Sequence, residues 1–334
     1  MTVELNWPDS LELAHLPTPV QKLDRLSARV GREIWVKRDD LTGSALSGNK
    51  IRKLDFLMAG ALRAGAETVW TCGGIQSNHA RATAVAAARL GLTSRLYLRV
   101  AGEPPERAEG NVLLDRLVGA EITWVTPEEY RDIDARMADD AARDSREVYV
   151  IPEGGSNALG SLGYARAVTE ILDAERELGF EFDAVVHACG SGGTLAGLVL
   201  GRKAFGLAAP VVAVNVCDDP AWFVKKALRI LDEVRSRWAP GLEFAADDIR
   251  VLDGYVGPGY ARNVAADLEL IRTVARLEGL FLDPVYTGKA FRGMLSELDG
   301  GRLAGPEYSR VLFIHTGGIY GLFPRATELV ESTD

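Results

Sequence analysis

The chain of 334 residues is 47% hydrophobic and 25% charged, which is the composition of a folded globular protein. Its length exceeds the roughly 250–300 residues at which a single core usually stops growing, so we expect two domains or one large α/β unit. Its net charge of -9 argues against nucleic acid or an anionic membrane surface as a partner.

Short apolar segments alternate with helical patterns along most of the chain. This alternation is typical of parallel sheets with helices on both faces, so the predicted fold class is α/β. Strands are predicted over residues 33–39, 67–74, 94–100, 121–125, 147–155, 183–190, 210–216 and 310–318. Ligands of such sheets bind beyond the carboxyl ends of the strands, so the residues that follow each strand are the candidates for function.

The stretch SGNKIRKLDFLMAGALRAG predicts a helix that begins near Lys50. Its first turn carries Lys50, Arg52 and Lys53, although the positive end of a helix dipole favours acidic side chains. The dipole and the basic neighbours disfavour the charged form of such a lysine, which lowers its pKa and makes its amine more nucleophilic. A cluster of solvated surface cations is the alternative interpretation.

Polar residues open the next predicted helix, in TCGGIQSNHARATA. Gln76, Ser77, Asn78 and His79 follow the strand over 67–74. In the simplest interpretation Ser77 or Asn78 caps the helix. In the functional interpretation, these polar side chains face a ligand at the edge of the sheet.

A glycine-rich loop follows the strand over 183–190, in DAVVHACGSGGTLAGL. The loop consists of Gly190, Ser191, Gly192, Gly193 and Thr194. Free backbone N–H groups and the dipole of the following helix favour an anion here. The loop lacks the last glycine of GxGxxG and the lysine of the GxxxxGK nucleotide loop. We therefore predict a site for one phosphate, with a tight turn packed by glycines as the alternative.

The cysteines Cys72, Cys189 and Cys217 are widely spaced and odd in number, which predicts reduced thiols. No CxxC or paired Cys/His spacing indicates a metal site. The N-terminus lacks a basic segment followed by an apolar run, and no apolar run reaches ~18–20 residues. We therefore expect a cytoplasmic protein without a membrane partner.

A reactive lysine and a separate phosphate site together favour a phosphorylated aldehyde as the ligand. Pyridoxal 5′-phosphate is the simplest such ligand, because it carries both an aldehyde and a phosphate.

At this point the sequence resembles the D-cysteine desulfhydrase and 1-aminocyclopropane-1-carboxylate (ACC) deaminase branch of the fold-type II pyridoxal-phosphate enzymes. The resemblance runs in order through LPTPVQKLDRLS, VKRDDLTG, SGNKIRKLDFL, CGGIQSNHARATA, PEGGSNALGSLGY, GSGGTLAGL, GPGY, LEGLFLDPVYTGKA and FIHTGG. It implies a tryptophan synthase β-like fold with two domains, each an open, mostly parallel twisted sheet flanked by helices. The expected large domain comprises residues 1–48 and 158–334, and the small domain residues 49–157. A homodimer that acts on a small amino acid is also implied.

The resemblance assigns roles to single residues. Lys50 matches the Schiff-base lysine, and Asn78 matches the residue that hydrogen-bonds the ring hydroxyl of the cofactor. Ser77 matches the serine that faces the substrate carboxylate or assists proton transfer. Tyr260 and Tyr286 match two active-site tyrosines.

The remaining assignments concern the surroundings of the cofactor and the substrate. The loop over 190–194 matches the phosphate-binding loop. Gln76 and His79 are expected beside the substrate, and Arg52 and Lys53 are expected to shape the charge around the cofactor.

Two threonines indicate which of the family's reactions to expect. Thr287 stands where ACC deaminases have a glutamate near the pyridine nitrogen, and Thr316 stands where they have a leucine. Both match the desulfhydrase pattern. A hydroxyl leaves the pyridine ring less electron-withdrawing than a glutamate does, which suits the elimination of a good leaving group better than the opening of a cyclopropane.

The expected reaction is therefore the elimination of sulfide from D-cysteine, which yields pyruvate, sulfide and ammonia. Two departures from the family pattern, Arg262 after GPGY and the segment 215–226, leave the substrate open. An arginine that accepts an anionic side chain would fit an L-cysteate sulfo-lyase. ACC deaminase is a further alternative, and a non-catalytic phosphate-ligand or cofactor-binding module is the alternative outside the enzymes.

Overall fold

Ten strands lie in two sheets in the computed structural model of the protein, which describes residues 3–330. They are β1 (Val20–Lys22), β2 (Glu33–Lys37), β3 (Thr68–Gly74), β4 (Thr93–Arg99), β5 (Glu121–Val125), β6 (Val148–Val150), β7 (Ala184–Cys189), β8 (Val211–Asn215), β9 (Arg250–Leu252) and β10 (Arg310–Ile314). Eight of them correspond to the predicted strands. The short strands β1 and β9 were not predicted.

The two sheets are built almost entirely from parallel pairs. The larger has the strand order β1-β2-β10-β7-β8-β9, in which the pair of β1 with β2 alone is antiparallel. The smaller has the order β5-β4-β3-β6 and is parallel throughout. The predicted α/β class, with two mostly parallel sheets flanked by helices, is therefore confirmed.

Eleven α-helices connect or flank these strands within residues 3–330. They are α1 (Asp24–Val30), α2 (Lys50–Arg63), α3 (Asn78–Arg89), α4 (Gly110–Leu117), α5 (Ile133–Ala141), α6 (Ala158–Leu178), α7 (Gly193–Phe205), α8 (Pro220–Trp238), α9 (Ala265–Glu278), α10 (Thr287–Gly300) and α11 (Ala326–Val330).

Helices α2, α6 and α7 approach one another with their backbones nearly in contact. A Cβ atom at Gly163 of α6 would overlap the carbonyl oxygen of Arg52 in α2, and one at Gly197 of α7 would overlap that of Ser161 in α6. Only glycine permits this spacing, because any larger residue would push the helices apart. The close packing fixes the start of α2 relative to the start of α7, and those two helix ends carry the candidate lysine and the glycine loop.

The two sheets draw their strands from different parts of the chain. The smaller sheet draws its strands from residues 68–150, and the larger sheet from residues 20–37 and 184–314. The domain boundaries after residues 48 and 157 stay a prediction, and residues 1–2 and 331–334 of the expected large domain lie outside the described residues. No helix within residues 3–330 is long and apolar enough to cross a membrane.

Candidate active site

One cavity opens at the carboxyl ends of the strands of both sheets and collects most of the predicted site residues. Those that line it are Lys50, Ser77, Asn78, His79, Gly190, Ser191, Gly192, Thr194, Tyr260, Tyr286 and Thr316. Gln76, Gly193 and Thr287 do not line it. The cavity is therefore built from segments that lie as far as 268 positions apart in the chain, between Asn49 and Gly317.

Lys50 is the first residue of α2 and points its amine into this cavity. Its Nζ donates to the side-chain oxygen of Asn49 at 2.9 Å and lies 5.9 Å from the centre of the Tyr286 ring. Burial lowers the pKa of Lys50 to about 8, with the charge of Asp283 opposing this shift and that of Arg81 adding to it. The predicted direction holds, but the main cause is the loss of solvation rather than the neighbouring cations.

This pKa predicts how Lys50 reacts with an amine-specific ester in the protein without a cofactor. Only the neutral amine is a nucleophile, so the labelling rate should rise with pH and level off above about pH 8, instead of near the ordinary value of 10.5. Peptide mapping by mass spectrometry gives the rate at this one residue, and acetyl-lysine amide in the same solution is the reference. A rate at Lys50 that rises in parallel with the reference up to pH 10 would contradict the assignment.

The backbone just before Lys50 is fixed by the chain around Thr316. The amide of Asn49 donates to the carbonyl oxygen of Thr316 at 3.1 Å. Gly48 has a φ of 106°, and a Cβ there would lie 2.8 Å from the same oxygen, so this contact requires glycine. The side-chain amide of Asn49 reaches Thr194 Oγ1 at 3.1 Å. Asn49 therefore connects the lysine to the glycine loop and does not cap α2.

Ser77 and Asn78 stand at the N-terminus of α3, as predicted. Ser77 caps the helix, since its Oγ accepts from the amide of Ala80 at 3.1 Å, and it also lines the cavity. The capping and the functional interpretations of Ser77 are thus compatible. Asn78 Oδ1 accepts from Asn111 Nδ2 at 3.0 Å, which leaves the amide nitrogen of Asn78 available as a donor to a ligand.

Gln76 and His79 differ in their exposure to the cavity. The side chain of Gln76 binds the start of α4, where Nε2 donates to the carbonyl of Glu109 at 3.1 Å and Oε1 accepts from the amide of Asn111 at 2.8 Å. Contact of Gln76 with the substrate stays a prediction that this arrangement does not favour. His79 lines the cavity, with Nε2 2.9 Å from Thr71 Oγ1, and its burial lowers its pKa well below the ordinary value. His79 is therefore a neutral imidazole.

A second lysine, Lys53, supports the glycine loop through Ser156. Ser156 Oγ accepts from the amide of Gly193 at 3.2 Å and lies 2.8 Å from Ser191 Oγ. Lys53 Nζ donates to the same Ser156 oxygen at 3.2 Å and to the carbonyl of Gly154 at 3.0 Å. The amide of Gly193 is thus used inside the protein, which explains why Gly193 does not line the cavity. The other amides at the start of α7 remain at the positive end of its dipole.

Arg52 does not take part in this site. Its guanidinium is buried and binds Asp39 and Glu170 on a different side of α2. The expectation that Arg52 shapes the charge around the cofactor is therefore not supported, whereas Lys53 lies directly behind the glycine loop.

Tyr260 and Tyr286 form a hydrogen-bonded pair on the wall beside Lys50. Their hydroxyl oxygens are 2.6 Å apart. Burial raises the pKa of Tyr260 to about 12 and that of Tyr286 well above its ordinary value. Both phenols therefore keep their protons at neutral pH and can serve as donors.

Asp283 organises the start of α10, which carries Tyr286 and Thr287. Its carboxylate accepts from the amides of Tyr286 and Thr287 at 3.0 and 2.8 Å, and from Thr287 Oγ1 at 2.7 Å. Thr287 is fully buried and its hydroxyl is held by Asp283, so its placement near the pyridine nitrogen stays a prediction. Asp283 was not predicted as a site residue, although it belongs to the motif DPVYTG.

Lys289 positions Tyr260 from the same helix. Its Nζ donates to the carbonyls of Val256 and Gly259 at 2.6 and 2.8 Å. These two bonds hold the GPGY turn against α10. Lys289 was also missed, because a lysine on a helix gives no signal in the sequence of which distant carbonyls it binds.

The remaining predicted residues divide into buried and peripheral groups. Cys72 and Cys189 are buried, although Cys189 also lines the cavity, and burial raises the pKa of both thiols far above the ordinary value, which disfavours the reactive thiolate. Arg262 is exposed and does not line the cavity. Of the segment 215–226, Cys217 and Asp218 reach the cavity.

The donor set fits pyridoxal phosphate. An amine of lowered pKa suits an aldehyde, the amide of Asn78 suits a ring hydroxyl, and the start of α7 with the hydroxyls of Ser191 and Thr194 suits a phosphate. Lys50, Asn78, Ser191 and Thr194 all line the same cavity.

Comparison with known proteins identifies relatives of the whole chain. Residues 11–317 match the family described as "Pyridoxal-phosphate dependent enzyme". A Thermotoga maritima protein named "Putative 1-aminocyclopropane-1-carboxylate deaminase" is 50% identical over 96% of this chain and 99% of its own length. The mitochondrial "Bifunctional D-cysteine desulfhydrase/1-aminocyclopropane-1-carboxylate deaminase" of Arabidopsis thaliana is 43% identical over 96% of this chain and 81% of its own.

A solved structure of an ACC deaminase homologue has the same architecture. It is 37% identical in sequence and superposes with a TM-score of 0.87 over 97% of this chain and 96% of that chain. The expected fold type is therefore confirmed.

Proposed function

This chain belongs to the pyridoxal-phosphate dependent enzymes, in the branch of the D-cysteine desulfhydrases and ACC deaminases, and from this premise we propose that it removes the β-substituent of a small amino acid. D-Cysteine is the proposed substrate, and pyruvate, sulfide and ammonia are the products. The observation that carries the proposal is the amine of Lys50, uncharged in part at neutral pH and placed beside two protonated tyrosines.

Different residues of the cavity would have different roles in such an elimination. The start of α7, Ser191 and Thr194 would hold the phosphate of the cofactor, and Asn78 would hold its ring hydroxyl. When bound, the cofactor supplies the electron sink for the bond that is broken at Cα. Lys50 would take the Cα proton on its neutral amine. Ser77 would face the substrate carboxylate, and the pair of Tyr260 and Tyr286 would orient the substrate and donate protons.

The proton, the broken bond and the electron pair of the proposed elimination are all accounted for. The Cα proton goes to Lys50, the Cβ–S bond breaks, and its electron pair leaves on sulfur. The remaining aminoacrylate takes up water and gives pyruvate and ammonia.

ACC deaminase is the second candidate. The names of the two relatives reported above favour it, because both include this activity. Thr287 and Thr316 favour the desulfhydrase, since both match its pattern and Thr287 cannot supply the charge of the glutamate that ACC deaminases place near the pyridine nitrogen. The buried Thr287 already donates to Asp283 at 2.7 Å.

The test is the release of products by the purified, cofactor-loaded protein with D-cysteine, L-cysteate and ACC in parallel. We expect sulfide and pyruvate in equal amounts from D-cysteine. Formation of 2-oxobutyrate from ACC without sulfide from D-cysteine would replace the proposal by the second candidate. Turnover of none of the substrates would favour the non-catalytic cofactor-binding module.

The proposal includes a homodimer, which the resemblance implies, and a location in the cytoplasm, which the lack of a signal-like N-terminal segment favours. Light scattering at several protein concentrations checks the mass, for which the dimer value is twice 36.1 kDa.

A further inference from the structure

One charged residue of the cavity has no role in the reaction described so far. Arg99 is the last residue of β4 and lies in register with Gly74, the last residue of β3. Its guanidinium carbon lies 4.6 Å from the centre of the Tyr130 ring and 5.5 Å from that of Tyr260. The two rings hold the guanidinium at the wall of the cavity.

The guanidinium of Arg99 is not neutralised by the protein. Among residues 3–330 it makes no hydrogen bond and no ion pair, and its contacts are the two rings. Two carboxylates, Glu153 and Asp218, line the same cavity, but neither lies within ion-pair distance of Arg99. Glu153 instead accepts from the hydroxyl of Tyr130 at 2.6 Å. Arg99 thus keeps all five N–H donors available to a ligand.

A series of contacts with tyrosine rings relates the position of Arg99 to that of Lys50 Nζ. The ring of Tyr286 lies 5.9 Å from Lys50 Nζ, its centre is 6.0 Å from that of Tyr260, and Tyr260 contacts Arg99. Arg99 therefore lies farther along the wall that begins at Lys50. The proposed function assigns the substrate carboxylate to Ser77 and brings Cα to the amine of Lys50. The substituent that then remains for the wall beside Arg99 is the one that carries the β-carbon.

We propose that Arg99 determines substrate specificity by binding an anionic group on the β-carbon of the substrate. The inference rests on the proposed elimination at a small amino acid, and it names the class of β-substituent. During elimination the bond to sulfur breaks and its electron pair leaves with the departing group, so a thiol leaves as thiolate and a sulfonate as sulfite. Arg99 offers this charge a bidentate partner. The role that the sequence suggested for Arg262 is thereby assigned to Arg99.

The test uses two amino acids that differ in charge and hardly in shape. Aspartate carries a carboxylate on its β-carbon, and asparagine carries a neutral amide there. Calorimetry with the cofactor-loaded protein, with both enantiomers of each, measures binding without turnover. We expect the wild type to bind aspartate roughly 10- to 100-fold more tightly than asparagine, since hydrogen bonds to charged groups are the strong ones.

Three variants separate charge from packing. Arg99→Met keeps the stem between the two rings and should abolish the preference for aspartate, whereas Arg99→Lys should keep part of it. Arg262→Met removes the exposed arginine and should leave the preference unchanged. A wild type without a preference, or an Arg99→Met variant that keeps it or weakens both ligands equally, overturns the proposal.

Turnover of D-cysteine by the wild type is scored separately. If D-cysteine is inert but Arg99→Met abolishes the preference for aspartate, the proposed substrate is wrong and the role of Arg99 stands. If D-cysteine is turned over and the preference does not depend on Arg99, the proposed function stands and the role of Arg99 is wrong.

Discussion

Replacement of Lys50 by alanine should abolish the formation of product from D-cysteine, with a loss of at least roughly 10³-fold in kcat. Lys50 Nζ is the amine of lowered pKa that lies in the cavity beside the tyrosine pair. Lys53 cannot replace it, because its amine is bound behind the glycine loop by Ser156 and Gly154. Continuous assays of sulfide and pyruvate measure the effect.

Two further observations make this test specific. The Lys50→Ala protein should still bind pyridoxal phosphate noncovalently, since the glycine loop is unchanged, but borohydride should no longer attach the cofactor to the peptide that begins α2. Lys225 is exposed on α8, so Lys225→Ala is the matched control and should keep full activity. Residual turnover by Lys50→Ala near the wild-type level would refute the assignment of the catalytic lysine.

Replacement of Arg52 by methionine should lower the free energy of unfolding by about 3–5 kcal/mol. Arg52 binds Asp39 through two hydrogen bonds of 2.8 Å and Glu170 through bonds of 2.6 and 2.9 Å. Burial raises the pKa of Asp39, but the charge and hydrogen bonds of Arg52 outweigh burial and bring it to about 2. The carboxylate is therefore charged at neutral pH, and the substitution leaves it buried without its partner.

Arg63 at the end of the same helix provides the control. Its ion pair with Asp9 is 3.5 Å long, and the two side chains are 57% and 84% exposed, so Arg63→Met should cost less than about 1 kcal/mol. Denaturant unfolding followed by tryptophan fluorescence compares the two variants. A loss of unfolding free energy for Arg52→Met as small as that for Arg63→Met would show that the buried cluster of Arg52, Asp39 and Glu170 does not stabilise the fold.

The three cations at the start of α2 show what the sequence could predict and what it could not. The pattern indicated a functional lysine at residue 50. Successive residues of a helix point about 100° apart, so Lys50, Arg52 and Lys53 face a cavity, a buried acidic pair and the underside of a loop. Which cation faces which partner depends on contacts with residues 154, 170 and 194, and no local pattern encodes those contacts.

The other differences between the predicted and the observed strands and site residues have similar causes. Long apolar strands give a strong signal, and all eight predicted strands are present. The strands β1 and β9 have three residues each and include polar or charged ones, VQK and RVL, whereas the equally short β6 is apolar throughout, VYV, and so gives a signal. Asn111, Asp283 and Lys289 support the predicted residues through bonds across the fold, and Arg99 reaches the cavity because β4 lies beside β3.

The position of β10 between β2 and β7 has a consequence for the synthesis of this protein on the ribosome. The larger sheet joins residues 33–37 to residues 184–189 only through a strand at 310–314. A nascent chain that has not reached residue 310 therefore leaves the edges of β2 and β7 open, and contacts of such long range form slowly. The backbone of Asn49 also waits for Thr316. The smaller sheet can form early, but the cavity that receives the cofactor is completed only when nearly the whole polypeptide has been translated.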